Sequence, residues 1–470
     1  MSIVAAFAVP HPPLAIAGVG RGRETEIGAT LASYHKAAQK VREYDPQVLI
    51  VSSPHATCYA DYIHISPGTH ASGDFAQFDD PADEIEADYD SELVEKICAE
   101  AITLGIPAGT FGERNRSLDH GTMVPLSFIQ AAGVACPIVR IGISGLTPLD
   151  HYNLGVAIQR AVEALDRRAV YIASGDLSHK MADTSPYGFA PDGPVFDDFI
   201  CKAFEKADFL SLLTCDSGLA ERAAECGLRS FQMMAGAFDG YAVSSELYSH
   251  EGPFGVGYAV AEFVPLGPSD TRHLAEQYHN ERVKQMQEIR AKEDPLVQLA
   301  RMTVESWTRT HKEPSIDDEG VAGGTLKLPD WLLSTRAGAF SSIKKYGSLR
   351  GCIGTTVPVQ ENLAHEIIAN AISAACHDPR FDPITPDELD DLVYSVDVLG
   401  ELEDIDSPSQ LDTQRYGVVV STRDGRRGLL LPALDGVDTV EEQISIARKK
   451  GGIRPHEHIK LQRFEVVRHV

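Results

Sequence analysis

Short apolar runs alternate with longer amphipathic segments over the first half of the chain. Four runs rich in β-branched residues predict buried strands at 3–9, 48–52, 138–143 and 170–173. Apolar positions at helical spacing predict helices at 25–43, 90–104 and 150–165. One more strand is predicted at 255–263, ahead of Pro265, Gly267 and Pro268. This order predicts an α/β domain whose mainly parallel sheet is flanked by helices.

The pattern changes beyond this domain. A polar, charge-rich segment at 270–292 has helical character and predicts a connector. Asp294 and Pro295 then form a typical helix start, with an N-cap and a first-turn proline. The remainder mixes a predicted helix at 359–375 with predicted strands at 393–399, 416–421 and 463–469. We therefore predict an α/β domain at 1–268, a helical linker at 269–293 and a separate α+β domain at 294–470.

Composition narrows the classes of partner. The chain of 470 residues has a net charge of −26, which argues against nucleic acid and anionic membranes, because both require clustered Lys and Arg. We find no apolar run of about 18 residues and no signal-peptide pattern, so we expect a cytoplasmic protein. The eight cysteines form no C-x-x-C pair, which favours reduced thiols over a disulfide framework.

Several histidines follow the predicted strands of the first domain. His11 comes after the first strand, His55 after the second, and Asp176 and His179 after the fourth, while His120 lies in a glycine-bearing loop. In open α/β sheets, ligands bind beyond the carboxyl ends of the strands. A lone loop histidine is usually a surface or capping residue, but four of them at one sheet edge indicate a shared site. Two imidazoles and one anionic ligand would hold Fe(II) with three open positions.

The third ligand would come from another part of the chain. Glu225 and Cys226 stand side by side, just ahead of the apolar run at 231–238, and offer a carboxylate and a thiol. Either residue could serve as the third ligand. The alternative is structural: a surface glutamate and a buried cysteine at a helix start.

Five motifs of the first domain together resemble one family. They are, in chain order, Val-Pro-His-Pro-Pro, Ser-Ser-Pro-His, Leu-Asp-His-Gly-Thr-Met-Val-Pro-Leu, Ser-Gly-Asp-Leu-Ser-His and Glu-Cys-Gly-Leu-Arg. This series is similar to the LigB-type class III extradiol dioxygenases and their Memo-like relatives. The ring-cleaving members bind Fe(II) through two histidines and a glutamate. The resemblance therefore implies an iron enzyme that opens a catechol-like aromatic diol with O2.

The resemblance also implies roles for single residues. His11 and His55 match the two imidazole ligands. The third ligand would be Glu225 in the dioxygenases, whereas Cys226 matches the cysteine of the Memo branch. A thiolate is softer and would alter both metal preference and redox potential, and we favour Glu225. The catalytic candidates are His179, which matches the acid/base histidine, His120, which matches a histidine on the oxygen and substrate side of the pocket, and Asp176, which accompanies His179 in the Memo branch. By analogy with members that resemble the first domain, we expect a homodimer.

The second domain carries a motif of its own, Leu-Arg-Gly-Cys-Ile-Gly at 349–354. It resembles the signature of the AMMECR-type domain, and the resemblance extends over 294–470. Arg350 and Cys352 would place a cation and a potential nucleophile beside a close backbone approach, and His377 and Asp378 would serve that thiol. The alternative is a tight glycine-bearing turn in which Cys352 packs as a small hydrophobe.

The fusion resembles proteins B and A of the AmmeMemoRadiSam group, in which both kinds accompany a radical SAM protein. That partner would be a separate protein, since no C-x-x-x-C-x-x-C motif occurs here. Our leading hypothesis is an extradiol dioxygenase of aromatic compound catabolism, with an AMMECR-type domain that binds or processes a linked substrate. The rival is a Memo-like metal-binding or redox protein that works with the radical SAM partner and cleaves no ring. An interaction scaffold is the third hypothesis.

Overall fold

The chain forms two compact units. The computed structural model describes residues 2–317, 320–321, 326–434, 437 and 439–470. The units span Met1–Arg282 and Val283–Val470. Within the described residues, we find no helix that is both long enough and apolar enough to span a membrane.

Unit 1 is built on a six-stranded mixed sheet. The strands of unit 1, inside and outside this sheet, are β1 (Ile3–Val9), β2 (Val48–Ser53), β3 (Ile63–His64), β4 (His70–Phe75), β5 (Asp80–Asp88), β6 (Ala108–Gly109), β7 (Ile138–Gly142), β8 (Ala169–Ser174), β9 (Tyr241–Glu251) and β10 (Tyr258–Pro268). The main sheet has the order β7-β2-β8-β1-β10-β9, in which the first four strands are parallel and β10 runs antiparallel to both of its neighbours, β1 and β9. The predicted α/β fold with a mainly parallel sheet is confirmed.

Helices cover both faces of this sheet. They are α1 (Ala17–Gly20), α2 (Gly28–Tyr44), α3 (Ser91–Thr103), α4 (His120–Ala131), α5 (Pro148–Ala164), α6 (Asp192–Glu205), α7 (Phe209–Leu213), α8 (Ser217–Ala223) and α9 (Leu228–Gly236). Strand β1 shows why both faces need cover, because its alternate side chains enter different cores. Ala6 and Ala8 pack in the core under α5 and α9, whereas Phe7 and Val9 pack in the core under α2 and α4.

Two sequence predictions in unit 1 need correction. The last strand does not stop at residue 263 but continues to Pro268 as β10, because β9, which the pattern did not predict, pairs along its whole length. The pairing with β1 ends at Phe263, so Pro265 lies where only β9 is a neighbour and a missing N–H is tolerated. His120 is not in a loop. It is the first residue of α4, capped by the side chain of Asp119.

The predicted helical connector at 270–292 corresponds to α10 (Leu274–Arg290). We expected a linker at 269–293. The division between the two compact units falls between Arg282 and Val283, within this helix.

Unit 2 is a separate α+β unit, as predicted. Its helices are α11 (Pro295–Thr310), α12 (Asp330–Ser334), α13 (Leu363–Cys376) and α14 (Val440–Lys450). Its strands are β11 (Ile316–Asp317), β12 (Gly320–Val321), β13 (Ala339–Lys345), β14 (Ser348–Gly354), β15 (Leu392–Leu399), β16 (Glu403–Ile405), β17 (Tyr416–Ser421), β18 (Arg427–Leu430) and β19 (Lys460–His469). All strands but β11 and β12, which pair with each other, form one antiparallel sheet of order β14-β13-β15-β19-β17-β18, with β16 beside β19.

Of the two helix starts predicted in unit 2, one is confirmed and the other is wrong by four residues. Asp294 caps α11 through bonds from the N–H groups of Leu296 and Val297, as the sequence indicates. Helix α13 begins four residues later than predicted. The N–H of Val359 donates instead to the side chain of Glu366, which holds the preceding segment as a loop.

A buried carboxylate ties three segments of unit 1 together. Asp197 on α6 is 1% exposed and accepts bonds from the N–H of Ser178 (2.8 Å) and from Nε2 of His250 on β9 (2.7 Å). The bond with Asp197 is the main reason that the pKa of His250 rises to about 10. The pair therefore stabilises the contact between the β9 edge and the loop after β8.

We expect Asp197→Asn to lower the free energy of unfolding of unit 1 by about 2 kcal/mol at pH 6, because the amide removes the charge and leaves one acceptor oxygen for two donors. The folded pKa of His250 lies above its ordinary 6.5, so the stabilisation is fully present below about pH 6.5 and is lost as the pH rises through about 10. Urea unfolding followed by far-UV circular dichroism measures this, since both tryptophans lie in unit 2. A difference between variant and parent that stays constant from pH 6 to pH 10 would contradict it.

Candidate metal centre

Three neighbouring parallel strands end at the same edge of the unit 1 sheet. Strand β8 lies between β2 and β1, with Ser174 opposite Val9 and Ala173 opposite Ser52. The chain therefore leaves all three strands at one level, and the loops that follow carry His11, His55, Asp176 and His179. The expected convergence of these loops is what the structure shows.

His11 is fixed by its neighbours on both sides. It is 2% exposed, its Nδ1 lies 3.0 Å from the hydroxyl of Ser174, and its backbone N–H donates to Asp176 (2.8 Å). Burial holds the pKa of His11 well below its ordinary range, so the ring is neutral at neutral pH. Its Nε2 consequently faces the site with a lone pair available whenever Nδ1 carries the proton.

His55 and His120 complete a group of three imidazoles. Nε2 of His55 lies 3.0 Å from Nε2 of His11, and the ring of His120 lies 4.0 Å from that of His55 between centroids. Burial, together with the two neighbouring histidines, lowers the pKa of His120 to about 4. The ring of Phe78 contacts His120 edge-on, 5.2 Å between centroids.

Cys226 joins this group through its sulfur. Its Sγ lies 3.6 Å from Nε2 of His11 and accepts the N–H of Asp176 at 3.3 Å. Donor atoms of His11, His55 and Cys226 all lie within 4.8 Å of one another, and so do those of Asp176, His179 and Cys226. Burial raises the pKa of the Cys226 thiol, so the free thiol is protonated unless a cation replaces its proton.

Glu225 points elsewhere. Its carboxylate accepts the N–H of Leu228 at 2.7 Å and so caps the start of α9, while burial raises its pKa to about 7. The local backbone explains the difference from Cys226. The Cα of Gly227 approaches Gly175 so closely that a Cβ on Gly175 would lie 2.1 Å from it, and this contact holds Cys226 against the loop after β8. Of the two sequence candidates, the structure brings the thiol, and not the carboxylate, beside the imidazoles.

His179 lies at the rim of the same group. Its Nδ1–H donates to the carbonyl of Ala224 (2.6 Å), which leaves Nε2 as the proton acceptor. That Nε2 is 3.9 Å from a carboxylate oxygen of Asp176, and the same oxygen is 3.8 Å from Nε2 of His11. Asp176 therefore stands between a buried imidazole and a more accessible one.

A buried ion pair behind the site was not predicted from the sequence. Asp119 accepts bonds from Nε (3.1 Å) and Nη2 (3.0 Å) of Arg140, whose side chain is 2% exposed. It also caps α4 ahead of His120 and accepts the hydroxyl of Ser53 (2.5 Å), which in turn accepts the N–H of His55. Two features of the sequence could have indicated this ion pair: an arginine inside an apolar strand and an aspartate directly before a helix.

A cleft of about 550 Å³ opens beside the imidazoles. Its walls are formed by His55, Ser72, Gly73, Asp74, Gln77, Glu84, Asn115, Ser117, Leu118, Asp119 and His120. A polar cleft of this size, next to convergent donor atoms, is the default place for a small-molecule ligand.

The candidates in unit 2 are dispersed. Cys352 lies on β14, where the hydroxyl of Ser342 donates to its thiol (3.1 Å). Asp378 accepts the backbone N–H of Cys352 (2.9 Å) rather than the thiol, and Arg380 pairs with Asp378, which lowers the pKa of that carboxyl. The exposed ring of His377 lies 3.7 Å from another thiol, that of Cys376. In a separate pair, Arg350 binds Glu388 through two nitrogens.

Fold and site together define an α/β protein with a histidine-lined cleft at the carboxyl edge of its sheet. The family model described as the catalytic LigB subunit of aromatic ring-opening dioxygenase matches residues 5–261, and the AMMECR1 family model matches residues 297–469. The chain belongs to the LigB family and carries an AMMECR1 domain. The resemblance predicted for both halves of the sequence is confirmed.

Some relatives match the whole chain, and others match only part of it. Protein CA_C1420 of Clostridium acetobutylicum is 37% identical over 100% of this chain and 99% of its own. A protein of Thermotoga maritima is 48% identical, over 38% of this chain and 98% of its own. Among solved structures, the uncharacterized protein PH0010 of Pyrococcus horikoshii is 30% identical, with a TM-score of 0.33, over 37% of this chain and 88% of its own.

We expect Arg140→Leu to lower the free energy of unfolding of unit 1 by about 3–5 kcal/mol, because Asp119 would stay buried without its cation. The double variant Asp119→Asn/Arg140→Leu should recover part of that loss, since no unpaired charge remains. Urea unfolding of the parent, both single variants and the double variant measures the coupling. Purely additive losses would show that the ion pair does not stabilise the fold.

Proposed function

We propose that unit 1 is an iron-dependent oxidoreductase that binds Fe(II) through His11, His55 and Cys226 and opens the ring of a catechol-like diol with O2. The observation that carries this proposal is the convergence of two neutral imidazoles and a thiol beside a polar cleft that one of the imidazoles, His55, lines. Membership of the LigB family supports the reaction class.

The donor spacing supports a single shared ion. Nε2 of His11 lies 3.0 Å from Nε2 of His55 and 3.6 Å from Sγ of Cys226, and all three donor atoms lie within 4.8 Å of one another, so these side chains would hold one ion together. The donor chemistry is also suitable, because imidazole and thiolate both suit iron. The residues present therefore fit the proposed metal.

The side chains around the donor atoms would transfer protons and orient the diol. Bound Fe(II) would lower the phenolic pKa of the diol and bring O2 beside it. His179 holds its Nε2 free, so it would accept the second phenolic proton and later return it. The carboxylate of Asp176, 3.9 Å away, would stabilise the imidazolium formed in between. His120 would form the wall against which the diol lies.

A second candidate function rests on the thiol itself. Cys226 brings a thiol beside His11 and His55, whereas the ring-cleaving dioxygenases that the sequence resembles use a carboxylate as third ligand, and a softer donor would change metal preference and redox potential. This favours a Memo-like role in metal handling or redox work with a radical SAM partner, without ring cleavage. Under either function, we propose that unit 2 binds or processes a linked substrate, with the partly exposed Cys352 as its candidate nucleophile.

We expect Cys226→Ala to weaken Fe(II) binding by at least about 10- to 100-fold, because it removes a donor atom. Glu225→Gln is the matched control, since it changes the neighbouring residue and should leave Fe(II) affinity unaltered. Anaerobic metal titration of the full chain gives both affinities, with circular dichroism as the folding check. Loss of binding in Glu225→Gln together with retention in Cys226→Ala would overturn the proposed ligand set.

We expect the Fe(II)-loaded chain to consume O2 with a catechol and to form a coloured ring-opened product. His179→Ala should retain iron and lower the turnover by about 10²- to 10⁴-fold, the usual contribution of a positioned acid/base group. An oxygen electrode and absorption spectroscopy over a panel of catechols measure both effects. Iron-loaded protein that consumes no O2 with any catechol would exclude ring cleavage and favour the Memo-like function.

A further inference from the structure

The cleft beside the imidazoles has an unbalanced charge. Three of its lining residues, Asp74, Glu84 and Asp119, carry carboxylates, and none of the lining residues is Lys or Arg. Asp119 is neutralised by Arg140 behind the site. The carboxylates of Asp74 and Glu84 therefore set the charge of the open wall.

These two carboxylates face each other directly. Strands β4 and β5 form an antiparallel hairpin in which Asp74 is opposite Glu84. Like charges at directly opposed positions destabilise a hairpin, so the pairing has a cost that the fold itself does not require. The only bond to the Asp74 side chain in the described part of the chain comes from the N–H of Ala76. Glu84 forms no ion pair with any described residue.

Among the residues that the structure describes, no Lys or Arg forms an ion pair with Asp74 or Glu84. Residues 74–88 contain seven acidic residues and no Lys or Arg. Arg21 touches the hairpin, but its guanidinium binds the carbonyls of Gly18 and Asp79. Two cations flank the lining residue Asn115, but Arg116 pairs with Glu113 and Arg114 lies over the ring of Tyr59.

We propose that this cleft selects diols that carry a cationic group, such as a protonated amine, and disfavours diols that carry a carboxylate. The selection residues are Asp74 and Glu84. The rest of the wall suits the neutral part of such a ligand, because Gln77, Asn115 and Ser117 offer amide and hydroxyl groups to its oxygens. The inference rests on the proposed function for the diol, but the charge preference concerns binding alone.

The preference should be moderate and dependent on salt. Both carboxylates are exposed, so water and ions weaken their field. They attract a cation and repel an anion of the same shape, and we therefore expect about a tenfold difference in affinity between the two at low salt. The difference should shrink as the ionic strength rises to about 1 M, where the screening length is about 3 Å.

The test uses three catechols with 4-substituents of equal length: aminoethyl, propyl and carboxymethyl. Their dissociation constants for the Fe(II)-loaded full chain are measured by calorimetry without oxygen. The expected order of affinity is amine, then propyl, then carboxylate. Asp74→Asn/Glu84→Gln should abolish the order. Glu95→Gln removes one charge from the exposed face of α3 and should leave the order unchanged.

Equal affinities, a preference for the carboxylate, or no binding of any of the three would overturn the inference. If the double variant misfolds, the single variant Glu84→Gln and the salt dependence of the parent chain decide instead. The outcome is separate from that for ring cleavage. An amine preference without O2 consumption would leave the inference standing and remove the dioxygenase function. O2 consumption without any charge preference would support the dioxygenase function and overturn the inference.

Discussion

Parallel pairing of β2, β8 and β1 is the constraint on which the site depends. Because Ser174 lies opposite Val9, and Ala173 opposite Ser52, all three strands end at one level. Their loops must then share a small volume, whatever residues they carry. A shift of one residue in this register would turn the side chains of a strand to the other face and separate the donor atoms. The two cores that cover both faces of the sheet therefore also protect the geometry of the site.

Neutrality is the second physical feature of the site. Burial disfavours the imidazolium form of His11 and His120, so these rings offer lone pairs at neutral pH. The buried charge of Asp119 is compensated, since Asp119 faces Arg140 and also binds Ser53. The same aspartate fixes the start of α4 and, through Ser53, the loop of His55. A single compensated ion pair thus positions two of the three imidazoles.

Much of this arrangement could be predicted from the sequence, and the remainder has identifiable causes. His11, His55 and Asp176 follow strands that apolar patterning reveals, and strand order alone brings them together. The choice between Glu225 and Cys226 depends on the contact between two glycine backbones, which no local pattern encodes. In unit 2 the signature motif identified the family, but the partners of its side chains depend on tertiary contacts. The ring of His377 contacts Cys376, and Asp378 binds Cys352 through the backbone N–H and not through the thiol.

Charge links the donor group to the cleft. Two neutral imidazoles and one thiolate would leave a bound divalent ion with a net positive charge, so a nearby negative field would favour its retention. The carboxylates of Asp74 and Glu84 supply such a field from the wall that His55 and His120 share. That field would repel a carboxylate ligand in the cleft and attract a protonated amine. The acidic hairpin would therefore favour cations at both places, which gives its opposed carboxylates a role in the proposed site.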